Sequence, residues 1–99
     1  MRIEYNDGDT EVALIGDLTF SDHAAFRAML TRAMQSRGPK IVLDLSRLDF
    51  VDSAGLGMLL IARDEAGKSS RSLALVRPQK QVERVFAVTK FETLFTIER

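Results

Sequence analysis

The 99 residues, 45% apolar and 28% charged, suit one domain with a single modest core and leave little length for a second. Fourteen Lys and Arg balance fourteen Asp and Glu, so no basic field exists to attract nucleic acid or an anionic lipid surface. The absence of cysteine excludes a disulfide framework, thiolate catalysis and cysteine metal sites.

The opening residues Met1-Arg2-Ile3-Glu4-Tyr5-Asn6-Asp7 contain no signal-peptide segment. No run approaches the roughly 18 apolar residues of a membrane helix. The expectation is a cytoplasmic protein with no direct membrane insertion. Residues 3–5 and 11–15 read as short strands, and the turn signal Asn6-Asp7-Gly8-Asp9 makes them a hairpin. Gly16-Asp17-Leu18-Thr19 ends the second strand. Ser21 is a candidate N-cap, with Asp22 in the first turn of a helix to about residue 36. Phe26, Met29, Leu30 and Ala33 fall on its core face, and Gly38-Pro39 stops it.

Ile41-Val42-Leu43-Asp44-Leu45 reads as a buried strand, and 46–51 as a loop. A second helix is expected over 54–66, ended by Gly67-Lys68-Ser69-Ser70. Residues 72–76 form a fourth strand. Pro78 sets the start of a third helix at 79–88, with Val82, Val85 and Phe86 inward, and 94–97 is a candidate last strand. Strands alternating with helices predict an α/β domain: a mixed sheet of four to five strands with helices packed on it.

The informative stretch is Asp52-Ser53-Ala54-Gly55-Leu56-Gly57, at the expected junction of loop and second helix. A serine there places its hydroxyl among unpaired N–H groups at the positive end of a helix dipole, a position suited to phosphate. The same serine could simply cap the helix. Asp52 either orients the hydroxyl and meets a partner, or complements the dipole of the first turn. Gly55 and Gly57 do not make a phosphate loop, because position 60 is Leu60 and no Gly-Lys-Ser/Thr follows; small residues for close packing and for access to Ser53 account for them. A helical wheel puts Leu56, Leu59, Leu60 and Ala66 toward the sheet. Ala54, Met58, Ile61 and Glu65 then face away, with Gly57 at the border. Apolar Met58 and Ile61 beyond Ser53, joined by Phe50, make a candidate docking surface. Asp44 either bonds the loop around Ser53 or caps its own turn. His23, the one histidine, reads as a surface residue, and Met29 as core filling.

The run from Ile41 to Gly57 closely resembles the STAS domain family, whose best-known members are bacterial anti-sigma factor antagonists. Its pattern is an apolar strand ending in Asp-Leu (Asp44-Leu45), a short loop, then Asp-Ser-x-Gly-Leu opening a helix (Asp52, Ser53, Gly55, Leu56). Gly16-x-Leu18 is similar to the family's turn after its second strand. Val85, Phe86, Phe91, Leu94, Phe95 and Ile97 resemble its C-terminal apolar pattern. One position departs: many members carry Asp directly after Gly-x-Leu, where this chain has Thr19. The resemblance implies a partner switch with one STAS domain over residues 1–99. The unmodified protein would occupy an anti-sigma factor of the serine-kinase type. Phosphorylation of Ser53 would release it, and a metal-dependent serine phosphatase would reverse the step. No catalytic residue, cofactor or metal is assigned.

Two rivals remain. A hydrolase elbow needs Gly-x-Ser-x-Gly, but position 51 is Val51 and the lone histidine lies on a distant helix. A STAS scaffold, or a cytoplasmic subunit of a lipid or anion transporter, would use the same fold without a phosphorylation cycle.

Overall fold

The computed structural model describes residues 1–6 and 8–99. Asp7, within the expected turn, lies outside the described residues. Strand β1 (Arg2–Asn6) pairs antiparallel with β2 (Glu11–Leu18), as the hairpin signal predicts. A 3₁₀ turn at Phe20–Asp22 leads into α1 (His23–Gln35), so Ser21 sits inside the turn and Asp22 takes the helix N-cap position. Then follow β3 (Lys40–Asp44), β4 (Leu48–Val51), α2 (Ser53–Lys68), β5 (Ser72–Val76), α3 (Lys80–Thr89) and β6 (Thr96–Glu98). The sheet has six strands in the order β1-β2-β3-β5-β6, with β4 added to β2.

The α/β class holds, with one strand more than the four to five expected. The extra strand is β4, which replaces most of the expected 46–51 loop. It lacks the alternation that marks a strand because its register with β2 shifts between Gly16 and Asp17. Leu48 and Val51 are buried while Asp49 and Phe50 both face out, a bulge that hides period two. Gly16 permits this with φ +94, a backbone conformation that side chains rarely adopt.

Strand register sorts the side chains into two faces. Val12, Leu14, Ile41, Leu43, Leu73 and Leu75 share the face that forms the core with Phe26, Met29 and Ala33 of α1 and Leu59, Ala62 and Ala66 of α2. The other face has buried Ala13, Ala74 and Val76 at its centre and charged side chains around them. There Lys40 Nζ meets Glu98 Oε2 at 2.7 Å, Arg77 Nη2 meets Asp44 Oδ2 at 3.0 Å, and Arg47 Nη2 meets Glu4 Oε1 at 2.7 Å. Asp44 also accepts from the Ser46 N–H at 2.9 Å, so it caps its own turn and does not reach Ser53. Burial raises its pKa, but the Ser46 N–H and the Arg77 guanidinium outweigh that and hold the carboxyl below its ordinary value. At the chain's end Phe86 stacks on Phe91, and Phe91 on Phe95, with centroids 5.1 and 5.0 Å apart. No helix among the described residues is long and apolar enough to cross a membrane.

Arg71 fastens the end of α1. Its guanidinium donates to the carbonyls of Gly38 (2.8 Å), Ala33 and Met34 (both 3.3 Å) and to Ser36 Oγ (3.2 Å). The Ala33 and Met34 carbonyls belong to the last turn of α1, where intrahelical donors run out. Arg71→Ala is expected to cost about 2 kcal/mol, a fall in Tm of roughly 8–16 °C for a domain of this size. Thermal unfolding checks this, and an unchanged Tm would remove the fastening role.

Candidate functional site

Four segments meet at the N-terminus of α2: the end of β2, the 3₁₀ turn, the end of β4 and the helix itself. Asp52 joins them. Its N–H donates to the Leu18 carbonyl at 3.3 Å. Its Oδ1 accepts from the Gly55 N–H at 2.7 Å, and its Oδ2 from the Phe20 N–H at 3.2 Å. Asp52 is therefore the N-cap, and Ser53 is the first residue of the helix. The alternative of Ser53 as the cap is thereby removed. The Ser53 side chain is exposed, and its hydroxyl has no hydrogen bond within the chain among the described residues. With Gly55 taken by the cap, the Ser53 and Ala54 N–H groups remain at the positive end of a helix of 16 residues.

Gly55 explains how the helix comes so close. A Cβ there would overlap the Leu18 carbonyl oxygen and lie 2.6 Å from Val51 Cγ2. Only a hydrogen fits between α2 and the ends of β2 and β4. On the other side Val51 is held by a clamp that was not foreseen. Its N–H donates to Gln81 Oε1 at 3.1 Å, and Gln81 Nε2 donates back to the Val51 carbonyl at 3.2 Å. One side-chain amide on α3 thus pairs β4 as a neighbouring strand would. The motif is pinned from three directions while the serine points outward.

The docking surface needs one correction. Met58 is 4% exposed and lies in the core, so it cannot meet a partner. The buried stripe of α2 is Gly55, Met58, Leu59, Ala62 and Ala66, with Leu56 and Leu60 half-buried at its borders. The wheel was centred on the bulky leucines, whereas small residues carry the close contact with the sheet. Ile61 is 42% and Phe50 41% exposed, and Ala54 and Gly57 are half-buried. A Cβ on Gly57 would meet nothing within 4 Å. Packing therefore does not require that glycine, although it costs about 1 kcal/mol in a helix interior. Gly57→Ala is expected to raise Tm by about 4–8 °C, read by thermal unfolding; a fall would mean that the position is packed after all.

Sequence reasoning also missed Phe20. Its ring is 74% exposed, beside the motif through the Asp52 bond, and no periodicity marks it. Thr19 lies in the same turn, with its N–H bonded to Asp22 Oδ2 at 2.9 Å. His23 is exposed on the first turn of α1, as expected. No group of three or more His, Asp or Glu among the described residues is placed to hold a metal.

Comparison with known proteins follows the same lines. A family model described as "Mlab, STAS domain" matches residues 1–96. A STAS-domain containing protein of Pseudomonas aeruginosa (strain UCBPP-PA14), PA14_20770, is 34% identical over 87 residues, covering 87% of this chain and 84% of that one. BtrV of Bordetella bronchiseptica, provisionally named an anti-sigma factor antagonist, is 28% identical over 91 residues, or 92% of this chain and 78% of that one. Among solved structures, an anti-sigma factor antagonist from Mycobacterium paratuberculosis superimposes with TM-score 0.80 at 23% identity, over 98% of this chain and 82% of that one. The anti-sigma factor antagonist SpoIIAA in its unphosphorylated form gives TM-score 0.73 at 22% identity, over 99% and 86%. At those identities the two structures show a shared fold.

Proposed function

The chain belongs to the STAS domain family, and from that membership we propose that it is an anti-sigma factor antagonist controlled at Ser53. Unmodified, it docks on an anti-sigma factor that is also a serine kinase and keeps that protein from its client. Transfer of phosphate to Ser53 ends the complex, and a metal-dependent serine phosphatase restores the docking form. The protein is a substrate and ligand of enzymes, acting in the cytoplasm, and not itself a catalyst.

One observation carries the reading. Asp52 fills the capping role, so the Ser53 hydroxyl is exposed and uncommitted at the positive end of α2. A serine needed as a cap would be spent on the helix; this one is free for a kinase. Ala54, Gly57, Ile61 and Phe50 supply an uncharged surround against which a partner can close.

The test is the intact mass of the protein before and after incubation with the candidate kinase and Mg-ATP. A gain of one phosphate, lost in Ser53→Ala, supports the reading. No phosphate on Ser53 in cells, together with copurification with a membrane ATPase, would replace it with the scaffold or transporter-subunit reading.

A further inference from the structure

The most exposed aromatic ring among the described residues sits beside the switch and belongs to none of the elements read from the sequence. Phe20 is not on a loose loop. Its turn is closed by the Thr19 N–H on Asp22 Oδ2 and by the Asp22 N–H on the Thr19 carbonyl, each at 2.9 Å. A third bond, from the Phe20 N–H to Asp52 Oδ2 at 3.2 Å, ties the turn to the cap of the Ser53 helix. Ring and hydroxyl are therefore carried on one frame.

A second observation concerns charge. Asp17 stands opposite Phe50 where β2 and β4 change register, and Asp49 precedes Phe50 in the bulge. Both are exposed. Neither carboxylate has an ion pair or a hydrogen bond among the described residues, whereas those of Glu4, Asp9, Asp44, Glu83 and Glu98 are all paired. Phe50, on the apolar ground proposed for docking, is thus flanked by two unspent carboxylates.

Resting on the reading of Ser53 as the switch, we propose that Phe20 is the anchor of the docking face, and that the kinase partner offers an apolar pocket for this ring flanked by lysine or arginine side chains that meet Asp17 and Asp49. A preformed aromatic loses little freedom on binding, and such residues dominate interface energetics. Unpaired carboxylates beside exposed rings favour cations, which gain from the charge and from the ring faces. The two parts act on different rates. The carboxylates steer encounter and set its salt dependence, while the ring and the Ser53 contact govern departure.

The experiment measures association and dissociation rates with the serine kinase that modifies Ser53, for the wild type, Phe20→Ala, the pair Asp17→Asn and Asp49→Asn, and Val88→Ala as a control. Val88 is 82% exposed on α3. Phe20→Ala should weaken binding about 30-fold or more through faster dissociation, with Tm within about 2 °C of wild type. The double Asn variant should associate about tenfold more slowly at low salt and lose most of its salt dependence. Val88→Ala should bind as wild type does. If Phe20→Ala binds within twofold of wild type while the wild type still binds and is released by phosphate, the anchor is wrong and the Ser53 reading stands. An unchanged salt dependence in the double variant overturns the cationic pocket. If the kinase never binds the unmodified wild type, the Ser53 reading falls and this inference with it.

Discussion

Phosphoserine at position 53 is expected to lower affinity for the anti-sigma kinase by about 100- to 1000-fold while shifting Tm by no more than about 2 °C. The two halves have separate causes. The modification adds about 1.5 to 2 negative charges at neutral pH. Within the free protein that charge stays in water, beside N–H groups of the first turn of α2 and the positive end of its dipole. Nothing buried is displaced, because the Ser53 side chain is exposed and its hydroxyl bonds nothing within the described chain. In the complex the dianion is pressed against a surface fitted to a neutral hydroxyl. Desolvation without a matched partner costs several kcal/mol, and 3–4 kcal/mol corresponds to the affinity loss stated. Ser53→Asp carries one charge on a shorter arm and should show a smaller loss, whereas Ser53→Ala should bind constitutively. Titration calorimetry on the three forms checks the order. Equal affinities of Ser53→Ala and Ser53→Asp would count heavily against the scheme.

Gly55→Ala should produce the largest loss of stability, although it adds one methyl group. That carbon would overlap the Leu18 carbonyl oxygen and press on Val51 Cγ2. The neighbours are a strand's backbone and a core side chain, and neither can swing aside. Relief requires α2 to move off the sheet, which pulls its N-cap Asp52 away from the Leu18 carbonyl and the Phe20 N–H. Overpacking of about 3 kcal/mol together with about 1 kcal/mol for a lost hydrogen bond removes a large share of the 5–15 kcal/mol that holds a typical domain. Tm should fall by more than about 12 °C, or the variant should not fold. Gly57→Ala, two residues further along the same helix, should move Tm the other way. A Gly55→Ala protein as stable as wild type would show that α2 does not seat against β2 and β4 as described.

The contrast between these glycines marks how much of the site was legible in the sequence. The strand through Leu43, the helix after Ser53 and the hairpin before Gly16 follow from local periodicity and turn chemistry, and they appear where expected. The motif's position at the start of the second helix was equally legible. What was hidden depends on partners far along the chain. The Asp52–Phe20 bond spans 32 residues and the Gln81 clamp on Val51 spans 30, so no local pattern announces either. Strand β4 was hidden because its bulge puts Asp49 and Phe50 on the same exposed side. Met58 was misplaced because a wheel weighted by side-chain size ignores a contact made by Gly55, Ala62 and Ala66.

The central claim is that one charge change on Ser53 separates binding from folding. The most direct measurement takes a single preparation with phosphoserine installed at position 53 and determines its affinity for the kinase and its melting temperature side by side with the unmodified protein. The account predicts an affinity at least about 100-fold weaker at an unchanged melting temperature. Binding that survives the phosphate, or a loss of binding that comes with a melting temperature lowered by more than about 8 °C, would contradict it.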